Sequence, residues 1–412
     1  MKNQNNPRVV DPILLQEVVR ILSAHFASEI KIKSVIFLSK PERRNLVLRI
    51  MLQSSLNGAP TSVIFKQSHL EKDCTDDKEM LGRFARDWAG LEFLSGLNIE
   101  PPIAPRFYGG SQEHRFVLLE DLGDVHFSLV DSLTGKDRNA AIAALTRYMR
   151  CMGQFHAKGY GRTEEYNELL QKLNPGTEIW QDELKTSLDE TLSKVESLLE
   201  KLAIPYTPDL QQEINHVFKA AKEPGHFTTY IHGDICPDNV FDNPEKDVMH
   251  IIDFEWGMVR NALLDGAYLR MSMPTCWCAK AFPEDVIEKF ETIYRQELAK
   301  NIPATSDDDL YYEAYVCACA YWALSLLAYG VDRVLDKELD ISDPIGQDLH
   351  PNWKPKYNVA RPRYLHRLQT FINVSSRHGK FPHLKIMAEQ VLKELKNRWP
   401  EAKQLELFPA FM

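Results

Sequence analysis

Short apolar runs that alternate with polar turns near the N-terminus predict an antiparallel sheet. Three runs rich in β-branched residues, over residues 34–38, 46–52 and 62–66, are separated by polar turns. Such runs are typical of strands that bury one face. A helix is expected to begin near Pro12, and another is expected over residues 82–94. The first part of the chain therefore combines a small sheet with a helix before it and a helix after it.

Helical periodicity dominates the rest of the chain. Apolar residues recur at steps of three and four from Ile142 to His156, which predicts a helix with one buried face. His156 is expected to be a buried, hydrogen-bonded core residue. Further predicted elements are a helical insert of about residues 163–226, helices over 363–376 and 384–398, and a proline-rich extended loop over 336–363.

The longest nearly apolar stretch is Tyr315 to Tyr329. It falls short of the roughly 20 residues that a bilayer requires, and the acidic run 306–309 before it suits the start of a helix. A buried helix is therefore expected, with no membrane partner. The N-terminus lacks the charged-then-apolar layout of a signal peptide, so a cytoplasmic location is expected.

Composition is that of an ordinary soluble protein. The chain has 412 residues, 44% hydrophobic and 26% charged, enough for two or three domains or one large bilobal unit. The formal net charge of -9 argues against a nucleic-acid partner, because phosphate binding needs clustered Lys and Arg. A cationic small molecule is the better electrostatic match. Composition leaves the oligomeric state open.

Seven cysteines raise the question of a metal or disulfide framework. Two close pairs, Cys276 with Cys278 and Cys317 with Cys319, have one intervening residue, whereas structural zinc ligands favour two to four. The odd count and missing secretory signal disfavour disulfides. Cys236 is expected to be a small packed core thiol. No metal site is expected from these spacings.

The most informative stretch is residues 230–257. His232-Gly233-Asp234 is followed five residues later by Asn239, and Asp253 comes after the apolar run 248–252, which predicts a strand. Transfer of the γ-phosphoryl of ATP needs a carboxylate to receive the acceptor's proton and oxygen ligands to hold Mg²⁺. Asp234 suits the first task, and Asn239 and Asp253 suit the second.

These two motifs resemble those of the aminoglycoside phosphotransferase and choline kinase superfamily. The H-G-D-x-x-x-x-N motif is His232 to Asn239, and the I-D-F segment is Ile252 to Phe254. The resemblance implies a protein-kinase-like bilobal α+β fold. Its small antiparallel-sheet N-lobe would span residues 1–123 and its larger, mainly helical C-lobe residues 124–412. It also implies ATP and Mg²⁺ as cofactors.

The resemblance assigns phosphate-binding roles in the N-lobe. Lys66, at the end of the third predicted strand, would contact the α/β-phosphates of ATP. The turn over residues 39–45 lacks a glycine-rich loop, and Ser39 would bind phosphate there through its hydroxyl and backbone amide, with Arg43 and Arg44 as further charges. The helix partner of Lys66 would be Asp87, with Glu92 as the alternative.

The resemblance also assigns a hinge and a brace. Residues 116–123 resemble the edge strand and hinge between lobes, where adenine would lie against Leu119 and Leu122. The backbone of Glu120 and Leu122 would form its hydrogen bonds, and Gly123 would let the chain turn. Asp265 would brace the catalytic loop by accepting backbone hydrogen bonds.

The predicted function is phosphorylation, with ATP, of a hydroxyl or amine on a small cationic metabolite or antibiotic. Glu255 and Trp256 follow the metal aspartate and resemble the acid and aromatic residue of choline and ethanolamine kinases, where an indole face attracts a cation. Two alternatives are a nucleotide-binding pseudo-kinase scaffold and a Ser/Thr protein kinase. The second is disfavoured because the chain lacks a glycine loop and an A-P-E segment.

Overall fold

A computed structural model of the chain describes residues 10–41, 43–54, 59–68, 77–125, 127–176, 182–337, 353 and 359–412, with backbone only at 54, 77 and 182–187. Two compact units are present. The first comprises Met1–Val125, Glu168–Thr177 and Asp253–Glu255, and the second comprises His126–Asn167, Glu178–Ile252 and Trp256–Met412.

The first unit is built on a five-stranded antiparallel sheet. Its elements are α1 (Pro12–His25), β1 (Ile30–Phe37), β2 (Asn45–Ser54), β3 (Ser62–Ser68), α2 (Asp77–Gly96), β4 (Phe107–Ser111) and β5 (Phe116–Glu120), with strand order β1-β2-β3-β5-β4. Asp11 caps α1 by accepting a hydrogen bond from the Ile13 amide, and Pro12 occupies its first turn. Val18, Ile21 and Leu22 of α1 pack on the sheet core. The predicted antiparallel sheet is confirmed.

The predicted position of β5 at the sheet edge is wrong. β5 pairs with β3 on one side and with β4 on the other, so β4 is the edge strand. The sequence of β4, Phe-Tyr-Gly-Gly-Ser, carries two glycines and little β-strand signal. A Cβ at Gly110 would lie 2.7 Å from the Trp88 ring, so close helix packing requires a glycine there.

The second unit is mainly helical. Its elements are β6 (Phe127–Ser128), α3 (Leu129–Thr134), α4 (Arg138–Gly159), α5 (Thr163–Leu173), α6 (Asp182–Lys201), α7 (Pro208–Lys222), β7 (Thr228–Ile231), β8 (Val240–Asn243), β9 (Val248–Ile251), β10 (Met258–Asn261), α8 (Leu263–Gly266), α9 (Glu284–Leu298), α10 (Asp308–Leu326), α11 (Asp332–Val334), α12 (Ala360–His378) and α13 (Pro382–Arg398). The second half of α5 belongs to the first unit. A small sheet has strand order β6-β8-β9, and β7 pairs with β10. Together the two units confirm the α+β class.

α4 is the buried support of the second unit. Its predicted apolar face is observed, with Leu145, Met149 and Met152 fully buried. Arg147 of the same helix makes a buried two-pronged ion pair with Asp242 of β8, at 2.6 and 2.8 Å. A bidentate guanidinium–carboxylate pair fixes orientation as well as distance, so this contact holds the β8–β9 hairpin on α4.

α10 is apolar on all sides, as expected of a buried helix. Asp307 caps it by accepting hydrogen bonds from the amides of Asp309 and Leu310, which matches the predicted acidic start. Among the described residues one helical stretch, Asp308–Val334, is long and apolar enough to cross a membrane by length and composition alone. However, 67% of its most apolar window is buried, and the core helices of soluble proteins meet the same criterion.

The C-terminal elements agree with the predicted helices. α12 and α13 begin at Ala360 and Pro382, within three residues of the predicted starts. Most of the predicted loop 336–363 lies outside the described residues.

Candidate active site

The loop after β7 is held by a buried carboxylate. Asp265 of α8 accepts hydrogen bonds from the backbone amides of His232 at 2.8 Å and Gly233 at 3.3 Å. Its Oδ2 atom also lies 3.3 Å from Nε2 of His156. Asp265 therefore has the bracing contacts that the resemblance implied, and His156 is the buried, hydrogen-bonded residue that the sequence predicted.

Glycine and histidine are required in this loop for physical reasons. Gly233 has φ of +77°, and a Cβ there would lie 2.5 Å from the carbonyl oxygen of Trp256, so a side chain would clash as well as strain the backbone. His232 is fully buried and accepts a hydrogen bond from the Asp234 amide through Nδ1. Its Nε2 therefore carries the proton donated to the Ile252 carbonyl at 2.9 Å.

Asp234 is held by neutral donors. Its Oδ1 accepts a hydrogen bond from Oγ1 of Thr275 at 2.7 Å and one from Sγ of Cys236 at 3.1 Å. The Tyr268 hydroxyl lies 2.6 Å from Thr275 Oγ1 and 3.0 Å from Cys236 Sγ. Burial raises the pKa of Tyr268 well above its usual value, so it remains a protonated phenol. The network turns one carboxylate oxygen toward these donors.

Asn239 is oriented by the same loop. Its Nδ2 donates to the Asp234 carbonyl at 2.9 Å, which leaves Oδ1 as the side-chain atom able to bind a cation. The backbone carbonyl of Asn239 accepts a hydrogen bond from the Ile252 amide, also at 2.9 Å. Thus Asn239 is fixed between the loop after β7 and the residue after β9.

The first unit contains a cluster of charged side chains around Lys66. Lys66 Nζ lies 2.8 Å from Asp87 of α2 and 2.6 Å from Asp253. Burial alone would lower the pKa of Lys66, but the two carboxylates outweigh burial and raise it. Of the two predicted partners, Asp87 makes the pair. Glu92 instead accepts a hydrogen bond from the Trp88 indole at 2.6 Å.

Asp253 occupies a strained backbone position. Its φ of +67° lies in the left-handed region that few non-glycine residues adopt. Such positions persist where surrounding contacts hold them, and here Asp87 Oδ1 accepts a hydrogen bond from the next amide, Phe254 N, at 2.9 Å. The carboxylate of Asp253 and the amide oxygen of Asn239 belong to the hard oxygen ligands that Mg²⁺ prefers, so both fit a magnesium role chemically.

Other predicted phosphate-binding groups are already engaged within the first unit. The Ser39 amide donates to the Val47 carbonyl at 3.2 Å, and its hydroxyl accepts from the Val47 amide at 2.9 Å. Both groups close the β1–β2 turn, so the predicted phosphate contact through the Ser39 amide is not available in this conformation. Arg44 forms an ion pair with Glu255.

Glu255 is therefore a paired carboxylate. Burial and the nearby Asp253 raise its pKa, and Arg44 opposes that rise. Arg86 of α2 also donates to the Glu255 carbonyl at 2.7 Å. The resemblance placed Glu255 beside a cationic substrate, and it did not anticipate either contact. Trp256, in the second unit, is 37% exposed.

In the predicted hinge, residues 116–123, the turn at Gly123 is observed, but the Glu120 amide is already hydrogen-bonded. The Glu120 amide donates to the Arg106 carbonyl at 2.9 Å, so this N–H is used within the unit. Gly123 has φ of +79° and its amide donates to Asp121, as expected where the chain turns. Leu119 is buried in the sheet. The adenine contacts assigned to Leu119, Glu120 and Leu122 stay predictions.

A cavity of about 480 Å³ in the second unit includes Thr275, the partner of Asp234. Aromatic side chains dominate its wall: Trp277, Trp322, Tyr329 and Tyr364. Arg363 and Arg367 also line the cavity, and the guanidinium of Arg367 donates to the carbonyls of residues 271–273. Burial lowers the Arg367 pKa to about 10, which still leaves it charged. Among the described residues that line this cavity there is no Asp or Glu.

A larger cavity, of about 630 Å³, lies among α9, α10 and α12. Its buried cation, Arg270, makes ion pairs with Glu284 at 2.7 Å and Glu291 at 2.8 Å. No residue of the catalytic loop lines it. The charges of this cavity already compensate one another, whereas the smaller cavity includes Thr275, which contacts Asp234.

The cysteines of the described part of the chain are free. Burial raises the pKa values of Cys276 and Cys278. For Cys236, a hydrogen bond with Cys276 and burial raise the pKa well above its usual value. All three are therefore thiols near neutral pH, and Cys236 can donate to Asp234.

Thr275 and Tyr268 are functional-site residues that sequence reasoning missed. They lie 41 and 34 positions beyond Asp234. Tyr268 is three residues after Asp265, in a segment where the resemblance assigns a role to Asp265 alone. A threonine before a Cys-Trp-Cys run gives no signal of its contact. Only the folded structure brings the Thr275 hydroxyl to the Asp234 carboxylate.

Solved structures similar to this chain are small-molecule kinases. A choline kinase from Cryptosporidium parvum is 13% identical, with 87% of this chain and 93% of that chain covered and a TM-score of 0.47. The choline kinase LicA from Streptococcus pneumoniae is 13% identical, with 88% of this chain and 99% of that chain covered and a TM-score of 0.40. Aminoglycoside 2'-phosphotransferase-IIIa, solved with GDP, is 14% identical, with 94% of this chain and 99% of that chain covered and a TM-score of 0.41.

A search of curated proteins found no significant match. A family model described as ecdysteroid kinase-like matches residues 92–304, which confirms the kinase-like superfamily indicated by the two motifs. The matched span is more than half of the 412 residues, and the chain belongs to the ecdysteroid kinase-like family.

Proposed function

We propose that the chain is an ATP- and Mg²⁺-dependent kinase that phosphorylates a hydroxyl group of a small molecule. One observation carries the proposal. The Asp234 carboxylate, in a loop braced by Asp265, has one oxygen fixed by Thr275 and Cys236 beside an aromatic cavity. A general base needs this combination of a fixed carboxylate and a space for the group it deprotonates.

The proposed reaction is an in-line phosphoryl transfer. The acceptor oxygen forms a bond to the γ-phosphorus while its proton passes to Asp234, and the bond from the γ-phosphorus to the bridging oxygen breaks to release ADP. Lys66 steadies the phosphates through its positive charge. Asn239 and Asp253 would hold Mg²⁺, which neutralises the developing negative charge when bound.

The acceptor is proposed to be an uncharged, largely apolar alcohol. Trp277, Trp322, Tyr329 and Tyr364 offer apolar surface, and the cationic Arg367 at the same cavity disfavours a cationic ligand. The volume of about 480 Å³ falls within the range of small-molecule sites. The family description names ecdysteroid kinases, and a polyhydroxylated steroid has this character.

The cavity therefore favours a different acceptor from the small cation expected from sequence. That expectation rested on the net charge, on Glu255 and on a supply of aromatic side chains that includes Trp256, Trp277 and Trp322. Trp277 and Trp322 do line the cavity, whereas Glu255 is paired with Arg44. Choline, ethanolamine and aminoglycosides remain the acceptors that would test it, because aromatic faces can also bind ammonium groups.

A direct test is a screen for acceptor-dependent ADP formation with Mg-ATP. The panel should contain hydroxylated steroids such as ecdysteroids, neutral sugars, choline, ethanolamine and aminoglycosides. We expect turnover with hydroxysteroids, loss of that turnover in Asp234→Asn, and a phosphate monoester identified by mass spectrometry.

The other outcomes separate the alternatives. Turnover confined to the cationic acceptors would restore the original expectation and reject the apolar one. Binding of Mg-ATP with no turnover on any acceptor would favour the pseudo-kinase scaffold. Phosphorylation of protein substrates alone would favour the protein-kinase alternative.

A further inference from the structure

Two loops bring thiols and a carboxylate together beside the catalytic base. The Sγ atoms of Cys236 and Cys276 and a carboxylate oxygen of Asp238 all lie within 4.8 Å of one another. Cys236 and Asp238 belong to the loop after β7, whereas Cys276 lies 40 positions further along the chain. The spacing that disfavours zinc is that of Cys276 and Cys278, whereas this set joins Cys276 to two residues of another loop.

The backbone on both sides of the cluster is held in place. The Cys236 amide donates to the Asp234 carbonyl at 2.8 Å. The guanidinium of Arg363 donates to the carbonyls of Cys276 at 3.3 Å and Trp277 at 2.8 Å. Metal sites depend on such supporting contacts, because these orient the ligands before the ion binds.

Donor chemistry and spacing suit a soft divalent cation. Zinc binds thiolate sulfur at about 2.3 Å and carboxylate oxygen at about 2.0–2.2 Å in tetrahedral geometry, which places ligand atoms roughly 3.5–3.8 Å apart. Atoms within 4.8 Å of one another need only small shifts to reach that spacing. Thiolates also select zinc-type ions over Mg²⁺, which prefers oxygen ligands only.

We propose that Cys236, Asp238 and Cys276 form a binding site for a zinc-type cation, with water as the fourth ligand. Binding releases the two thiol protons to solvent and leaves two thiolates and one carboxylate on the ion. The bound Cys236 sulfur then no longer donates a proton to Asp234, and a cation lies near the base. The other carboxylate oxygen of Asp238 can keep its hydrogen bond from the Trp277 indole, which is 2.9 Å long, and this contact orients the ligand.

Inhibition of phosphoryl transfer follows, and this consequence rests on the proposed function. A cation near Asp234 lowers the tendency of its carboxylate to accept a proton. The binding itself requires no assumption about activity.

The binding test uses the metal-stripped full-length chain in a non-thiol reductant. Cadmium titration followed by the ultraviolet cadmium–thiolate band, and equilibrium dialysis with zinc, should each give one ion per chain. Cys276→Ser should lose this ion, and Asp238→Asn should weaken its binding at least tenfold. Cys151→Ser is the matched control, because Cys151 is buried in α4 and donates only to the Met249 carbonyl, which serine can also do.

Full retention of the ion in both Cys276→Ser and Asp238→Asn, or no binding by the wild type, would overturn the site. If Cys276→Ser does not fold, the Asp238→Asn result decides. In the activity test, one equivalent of zinc should lower kcat at least tenfold, reversibly with a zinc-selective chelator. Zinc should have no such effect on Asp238→Asn relative to its own metal-free rate. One bound ion with undiminished kcat would reject the inhibition and leave the site standing.

Discussion

Lys66 in the first unit and Asp234 in the second are held by opposite kinds of contact. Lys66 is a partly buried cation held by two carboxylates, Asp87 and Asp253. Asp234 is a carboxylate whose described side-chain partners are a hydroxyl and a thiol. Full charges compensate each other in the first arrangement, whereas the second orients a charge with neutral dipoles.

The difference fits the proposed roles of the two groups. A lysine that binds phosphate should keep its proton throughout the reaction, and neighbouring carboxylates ensure this by raising its pKa. A general base must gain and lose a proton. An adjacent cation would hold the carboxylate in its ionised form, whereas neutral donors fix its orientation with a smaller effect on its charge state.

The largest expected effect comes from changing Asp234. Asp234→Asn keeps the shape and removes the proton acceptor, so kcat should fall by about 10²–10⁴-fold while Mg-ATP affinity remains near that of the wild type. Steady-state kinetics and calorimetry measure the two quantities. Asp253→Ala is the contrasting variant, because it should abolish magnesium-dependent nucleotide binding. Near-normal turnover by the Asp234→Asn variant would exclude Asp234 as the general base.

Removing Lys66 should reduce stability as well as activity. Lys66→Ala leaves two carboxylates facing each other, and we expect unfolding to require about 2–3 kcal/mol less. This is below the roughly 3–5 kcal/mol of a fully buried pair, because the Asp253 side chain is 31% exposed. Urea unfolding measures the change.

The exposed pair of Lys31 and Glu29, in the same unit, supplies the control. Both side chains are mostly solvent-accessible, and exposed ion pairs contribute little. Lys31→Ala should therefore leave the unfolding free energy essentially unchanged. Equal destabilisation by Lys66→Ala and Lys31→Ala would show that the ion pairs of Lys66 contribute no more to stability than an exposed pair does.

Sequence motifs located the chemical groups but not their environment. Asp234, Asn239 and Asp253 stand at spacings that the chemistry of phosphoryl transfer makes recognisable, and the hydrophobic pattern predicted β1 to β3. The Arg44–Glu255 pair joins residues 211 positions apart. Pairing at that separation depends on tertiary packing, which no local pattern encodes.

Two further misses have local causes. β4 was not predicted, because its glycines weaken the strand signal, and β5 was consequently placed at the edge. Glu92 remained an alternative to Asp87 because both are acids of α2. The choice depended on which turn of the helix meets Lys66, and spacing along the sequence gives that only approximately.

A change at Thr275 tests how far the neutral donors around Asp234 contribute to activity. Thr275→Val removes the hydroxyl donor but keeps the side-chain shape, so Asp234 loses an orienting contact. We expect kcat to fall roughly three- to tenfold, since a hydrogen bond contributes about 0.5–1.5 kcal/mol net, with the KM for ATP unchanged. Thr275→Ser should restore the rate. Failure of serine to rescue would indicate that the threonine methyl group, through packing, is what matters.

The smallest expected effect is the pH dependence of the Lys66 pairs. The folded-state pKa of Lys66 is raised above its ordinary value of 10.5. Its stabilisation is therefore complete below pH 10.5 and is lost only as the pH rises through the higher folded-state value. The difference in unfolding free energy between the wild type and Lys66→Ala should stay constant from pH 7 to about pH 9.5. Urea unfolding at several pH values measures it. A difference that shrinks by pH 8 would show that the two carboxylates do not raise the pKa of Lys66.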